Sequence, residues 1–137
     1  MKFKRVEHIA IAVKDMDSVK RMFEETLGLS LEYQEHLEEH STKLAMYPVG
    51  ETYLELLEGT APSSITSKWI DERGEGLFHI CLEVEDIRGA LAELKGKGVK
   101  LLDEEPRPGH GGSLVAFIDP KSTMNLVIEL TQTGAPH

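Results

Sequence analysis

Apolar and polar residues alternate through "VEHIAIAV" (6–13), a pattern that predicts a strand with two distinct faces. Ile9, Ile11 and Val13 fall on one face, and Val6, His8, Ala10 and Ala12 on the other. The period then changes. Val19, Met22, Phe23 and Leu27 recur at helical spacing, Asp15 or Asp17 stands where an N-cap belongs, and Gly28 closes the segment. The chain returns to strand pattern up to Tyr33, and "TKLAMYPVGETYLELLEG" (42–59) reads as two strands joined at "PVGE". The same order then recurs. "LFHICLEVEDIRGALAELKGKGVKLL" (77–102) gives a strand, a helix capped by Asp86 and buried through Ile87, Ala90, Leu91 and Leu94, a closing Gly98 and a second strand. "SLVAFIDPKSTMNLVIELTQ" (113–132) adds two strands around "DPKSTMN".

The predicted fold class is α+β: two tandem βαβββ modules, over about 4–59 and about 77–132, in a single domain covering 1–137. Between them "APSSITSKWIDERGEG" (61–76) predicts a bridging helix over about 63–74. Ser63 or Ser64 caps it, Ile65, Trp69 and Ile70 point inward, and Gly74 ends it. The bulky strand faces, Ile9, Ile11 and Val13 in one copy and Phe78, Ile80, Leu82 and Val84 in the other, are expected to meet the helices. His8 and His79 then point to the opposite, helix-free side.

Composition narrows the function classes. A chain of 137 residues with a net charge of −9 lacks the concentrated positive surface that nucleic acid or an anionic membrane requires, although local lysines or backbone amides can still hold a small anion. No apolar run approaches the roughly 18 residues of a membrane span, and "MKFKR" leads directly into a strand without an export-type apolar segment. The single cysteine, Cys81, fits a reducing cytoplasm. The acidic run "EYQEHLEEH" (32–40) reads as a solvated connection holding His36 and His40, with His110 and the terminal His137 also expected at the surface.

Four polar residues break the apolar strands, and they do so in equivalent places. Each module has a histidine in its first strand, His8 and His79, and a glutamate in its last, Glu55 in "YLELLE" and Glu129 in "LVIEL". All four fall on the faces away from Ile9, Leu54, Leu56, Ile128 and Leu130. A carboxylate in such a strand is costly unless it is paired or bound to metal, and here the cost recurs in register. Two imidazoles with two carboxylates suit a divalent ion of borderline hardness, Co²⁺, Mn²⁺, Zn²⁺ or Ni²⁺, with coordination positions left for substrate oxygens.

With this pattern on the page, the chain resembles the vicinal oxygen chelate (glyoxalase/bleomycin resistance/dioxygenase) superfamily. Within it, "VEHIAIAVKDMD", "ETYLELLE", "SKWIDERGEGLFHICLEVEDI", "GVKLLDEEPRPGHGGSLVAFIDPKS" and "LVIELTQ" are similar to the methylmalonyl-CoA epimerase family. The resemblance implies that the mixed sheets of the two modules form one curved, cup-like metal and substrate site. It implies metal ligands at His8, Glu55, His79 and Glu129, with cobalt foremost among the ions, an acyl-CoA substrate and a homodimer. The implied reaction interconverts the (R) and (S) epimers of methylmalonyl-CoA by proton abstraction at C2 through a metal-stabilised enolate, with Glu129 as base as well as ligand. Where some family members carry a second glutamate this chain has Leu44, with Lys43 beside it, so the second proton-handling group is open between Lys43, a water and another side chain. The amides of Gly111, Gly112 and Ser113, together with Lys121 in "DPKS", are expected to meet thioester, carboxylate or phosphate oxygens. Two alternatives share the fold: a glyoxalase-type lactoylglutathione lyase, and a metal-free binding and sequestration protein.

Overall fold

The computed structural model describes residues 1–134, and His137 lies outside them. Its residues gather into two compact units, one made of His8–Phe78 and the other of Met1–Glu7 together with the chain from His79 onward.

In the first unit, β1 (Phe3–Ala12, from His8) is followed by helix α1 (Met16–Arg21), then β2 (Tyr33–Leu37), β3 (Thr42–Val49), β4 (Thr52–Gly59) and helix α2 (Ile65–Arg73). Strand order is β2-β3-β4-β1. The β2–β3 and β3–β4 pairs are antiparallel, whereas β1 and β4 run parallel, as strands joined through a crossover must. The alternation predicted for β1 and β4 separates two apolar layers. Val13, Ala45, Tyr47 and Leu56, with Ile11 and Leu54 beside them, pack against Met16 and Phe23. On the other face Ala10, Leu44, Met46 and Leu57 form a second cluster with Tyr33, Leu37, Tyr53 and Phe78.

The helix caps follow the sequence. Asp15 accepts the backbone N–H of Ser18 at 3.3 Å, and Ser64 accepts that of Ser67 at 3.0 Å. The helix faces depart from the prediction in two places. After α1 the chain makes one π-type turn, Met22–Thr26, in which the Leu27 N–H reaches the Met22 carbonyl at 3.1 Å. That extra residue rotates the helical phase beyond it, so Leu27 (58% exposed) faces out and Leu29 and Leu31 join the buried layer instead, while Met22 (42%), at the start of the turn, also faces out. In α2, Ile65 is 75% exposed, and Thr66 with Ile70 turns inward. Trp69 stacks on Phe78 at 4.7 Å, which draws Phe78 into the cluster of Ala10 and Leu57 and away from the helix-side role its frame predicted.

The second unit repeats the order: β5 (Gly76–Val84, from His79), α3 (Ile87–Gly96), β6 (Arg107–Pro108), β7 (Leu114–Phe117) and β8 (Ile128–Gln132), with strand order β5-β8-β7-β6. Here too the first and last strands run parallel and the remaining pairs antiparallel. Asp86 caps α3, whose Ile87, Ala90 and Leu91 pack on Val84, Ala116, Ile118 and Leu130. Gly98 takes a φ of 82°, the left-handed conformation that ends the helix region. The βαβββ order expected from the repeat is therefore present in both units. The second strand of each copy is displaced, however. β2 starts at Tyr33 and runs through the run read as a solvated connection, and β6 is two residues long, with only an isolated bridge, Leu101 to Ile118, where "GVKLL" suggested a strand. Both are edge strands, where pairing is one-sided and pattern is a weak guide to position.

Among the described residues, no helix is long and apolar enough to cross a membrane.

Candidate active site

The two histidines and two glutamates are placed by the same local rule in each unit. In the first, β1 and β4 pair with Ala10 opposite Glu55, and His8 stands two residues before Ala10. In the second, β5 and β8 pair with Cys81 opposite Glu129, and His79 stands two residues before Cys81. A two-residue offset keeps a side chain on its own face, so each histidine lies diagonally across from its glutamate. The distances follow: His8 Nε2 is 3.5 Å from Glu55 Oε1, and His79 Nε2 is 3.2 Å from Glu129 Oε1. All four side chains are between 6% and 12% exposed. The residues opposite the two glutamates, Ala10 and Cys81, are small and fully buried.

Aromatic and cationic groups border the second pair. Phe117 stands directly opposite Glu129 in the β7–β8 register and meets the His79 ring edge-on at 5.3 Å. The Arg107 guanidinium lies over the same phenyl ring, 6.0 Å from its centroid, and is oriented by Asp103 through an Nε to Oδ1 contact of 2.9 Å. Asp103 also accepts the Phe117 N–H at 2.8 Å. Nothing in the periodicity singled out Arg107, because its strand is two residues long and its role depends on Val115 opposite it.

The other residues selected from the sequence are placed as follows. Ser113 is buried, and its hydroxyl donates to the His110 carbonyl at 2.7 Å. Gly111 (φ 65°) and Gly112 (φ 78°) are exposed in a left-handed turn beside it. Lys121 is exposed in a short turn capped by Asp119. Lys43 is exposed too and alternates with the buried Leu44, so it does not share the face of Leu44, Met46 and Leu57. His36, His40 and His110 are exposed. One residue that pattern reading passed over is Glu35. It lies in the acidic run, but the alternation Tyr33, Glu35, Leu37 puts it on the inward face of β2, and its partner across β3 is Leu44.

A further acid, Glu83, is only 4% exposed and is held by Arg5 Nε at 2.6 Å, Lys4 Nζ at 3.6 Å and the Thr133 hydroxyl. Burial pushes its carboxyl up, but the hydrogen bonds from Thr133 and Arg5 and the charges of Arg5 and Lys4 outweigh burial and leave it below the ordinary carboxylate range. This cluster is a structural tie.

Parallel first and last strands, each presenting an imidazole beside a carboxylate on one sheet face, define a protein class that known proteins share. Residues 7–117 match the family described as the Glyoxalase/Bleomycin resistance protein/Dioxygenase superfamily, and the chain belongs to that superfamily. Within it the relatives include several epimerases. The ethylmalonyl-CoA/methylmalonyl-CoA epimerase of Cereibacter sphaeroides is 32% identical over 130 residues, covering 93% of this chain and 97% of that protein. The human mitochondrial methylmalonyl-CoA epimerase is 32% identical over 129 residues, 93% of this chain and 73% of the relative. A solved structure of a single-substitution variant of Streptomyces coelicolor methylmalonyl-CoA epimerase in complex with 2-nitronate-propionyl-CoA superposes with a TM-score of 0.91 at 34% identity, over 98% of this chain and 97% of that one. A probable lactoylglutathione lyase from Synechocystis is less similar, at 28% identity over 136 residues. The protein is an enzyme of the isomerase class, an epimerase.

Proposed function

We propose that this epimerase interconverts the two C2 epimers of methylmalonyl-CoA and that His8, Glu55, His79 and Glu129 hold a divalent metal ion for it. The observation that carries the reading is the repeated diagonal pair. Each unit presents an imidazole Nε2 within 3.5 Å of a carboxylate oxygen, on side chains almost withdrawn from water. This donor set suits a borderline ion, and neutral imidazole with ionised carboxylate is its ligating form. When bound, such an ion would stabilise negative charge on the thioester and carboxylate oxygens of the substrate.

The chain's own residues do the remaining work. C2 of a methylmalonyl thioester is acidified by two carbonyl groups, so a carboxylate is basic enough to remove its proton when held against it. Glu129 is that group in this reading. Phe117, packed edge-on against His79, limits the rotation of the imidazole and keeps water from the pair. The glycine turn at 109–113 supplies amides that can approach substrate oxygens, with Ser113 held by its own hydrogen bond, and Lys121 is free to meet a CoA phosphate. Cobalt as the resident ion, a homodimer and a cytoplasmic location complete the proposal. They rest on the family resemblance and, for the last, on the single buried cysteine.

Solvent deuterium exchange at C2 of methylmalonyl-CoA, read by mass spectrometry, tests the proposal. Exchange should be abolished by chelator and by Glu129→Gln, while substrate binding survives the substitution. Exchange indifferent to both treatments would refute it. Turnover of a glutathione hemithioacetal in place of exchange would select the lyase reading.

A further inference from the structure

The second unit carries a cation on the same sheet face as His79 and Glu129. Arg107 stands opposite Val115 in the β6–β7 register, and Val115 comes two residues before Phe117, so all three share a face. Phe117 stands opposite Glu129, and Glu129 opposite Cys81, whose face His79 shares at two residues' distance. Arg107, Phe117, Glu129 and His79 therefore lie on one face of four successive strands, β6, β7, β8 and β5. Side-chain contacts follow from that placement. The Arg107 guanidinium lies 6.0 Å from the centre of the Phe117 ring, and the same ring meets the His79 imidazole edge-on at 5.3 Å.

The guanidinium is also held in one orientation. Asp103 grips its side, with Nε reaching Oδ1 at 2.9 Å and Nη2 donating to Oδ2 at 3.3 Å. Asp103 is itself anchored, because Oδ2 accepts the Phe117 N–H at 2.8 Å. As an ion pair with an exposed cation this contact adds little to stability, and its main consequence is orientation. A guanidinium carries N–H donors on two edges of a rigid planar fork, and Asp103 occupies the edge formed by Nε and Nη2. The other edge, Nη1 with the remaining Nη2 hydrogen, has no partner among the described residues. That edge matches the paired oxygens of a carboxylate or a phosphate. The Arg107 side chain is 49% exposed and that of Asp103 only 18%, so the cation is open to a ligand while its anchor is largely covered.

We propose that Arg107 binds an oxyanion of the acyl-CoA substrate through this open edge and that Asp103 is its positioning residue. The proposal rests on the epimerase reading above. The substrate offers two sources of the required chemistry, the free carboxylate of the malonyl group and the phosphates of CoA. Both are repelled by a chain of net charge −9, and a fixed cation beside the His79–Glu129 pair offsets that repulsion where the substrate docks. Arg107 makes and breaks no covalent bond in this role. It sets where the substrate lies.

The test measures dissociation constants by isothermal titration calorimetry for methylmalonyl-CoA, for propionyl-CoA, which lacks the carboxylate, and for methylmalonyl-pantetheine, which lacks the phosphates. Arg107→Gln should weaken methylmalonyl-CoA by about 10–100-fold and raise KM with kcat near the wild-type value. It should leave one of the shortened ligands at wild-type affinity. Propionyl-CoA unaffected and methylmalonyl-pantetheine weakened assigns the carboxylate, and the reverse assigns a phosphate. Arg107→Lys, which keeps the charge without the fork, should recover part of the loss. Asp103→Asn should weaken the same ligands as Arg107→Gln, to a smaller extent, and spare the same one. Such selectivity cannot arise from general damage to the fold, which weakens all three ligands together. If Arg107→Gln fails to fold, Arg107→Lys carries the comparison in its place. Substitutions that leave the dissociation constant and KM of methylmalonyl-CoA unchanged, or that weaken all three ligands alike, overturn the proposal. Wild type that binds none of the three overturns the epimerase reading itself, so the two failures are distinct.

Discussion

Replacing Glu83 by glutamine removes one charge from a nearly buried cluster and leaves its shape intact. The Glu83 side chain is 5% exposed, and Arg5 and Lys4, which face it, are 28% and 50% exposed. Stripping one partner from a fully buried ion pair costs about 3–5 kcal/mol. Partial solvation of the two cations lowers this, and the glutamine oxygen still accepts from Arg5, so about 2–3 kcal/mol is expected here. At about 2.1 cal/mol/K per residue, a chain of this length unfolds with an entropy of about 0.3 kcal/mol/K, which converts the loss to a fall in Tm of about 7–10 °C at pH 7. The pH dependence has a definite sign. The folded carboxyl lies below its ordinary value of 4.5, so its contribution is fully present above pH 4.5 and is lost as pH falls through the folded value. The gap between wild type and Glu83→Gln should therefore close under acid. Differential scanning calorimetry at pH 7 and at a pH below 4 measures it. A Tm difference that is negligible at neutral pH, or that stays unchanged in acid, would refute the assignment of Glu83 as an ionised tie.

Leu56→Ala, at a fully buried position in the layer beneath α1, should cost about 2–5 kcal/mol by denaturant unfolding, while Val49→Ala, 48% exposed at the end of β3, should cost far less. Equal losses at the two positions would contradict the layer assignment. A divalent ion at 100 times its dissociation constant should raise stability by about 2.7 kcal/mol. His8→Ala and His79→Ala should each remove most of that rise in a thermal-shift titration, whereas a loss confined to one of them would reduce the ligand set to a single pair.

Much of the active-site reading was legible because strand side chains have a period of two. That period separated His8 from Ile9, and Glu55 from Leu54 and Leu56, without any knowledge of what the strands pair with. Repetition supplied the rest, since an unusual residue at one place becomes a pattern when the second copy has it too. Cap chemistry was equally local: Asp86 and Ser64 act through N–H groups three residues away. Errors fell where a neighbour overruled the local period. Leu27 turned outward because of a π-type turn, and Phe78 left its expected face for the Trp69 ring.

The sequence by itself thus determined the order of elements, the caps, and the faces on which His8, Glu55, His79 and Glu129 lie, because all of these depend on spacing along one chain. Tertiary structure alone decided the partners across strands. The two-residue offset that sets each histidine beside its glutamate, the burial of Glu83 between Arg5 and Thr133, and the place of Glu35 opposite Leu44 are matters of register. Register is set by long-range pairing, and a shift of one residue would have sent Glu35 to solvent, where its acidic surroundings in sequence suggested it belonged.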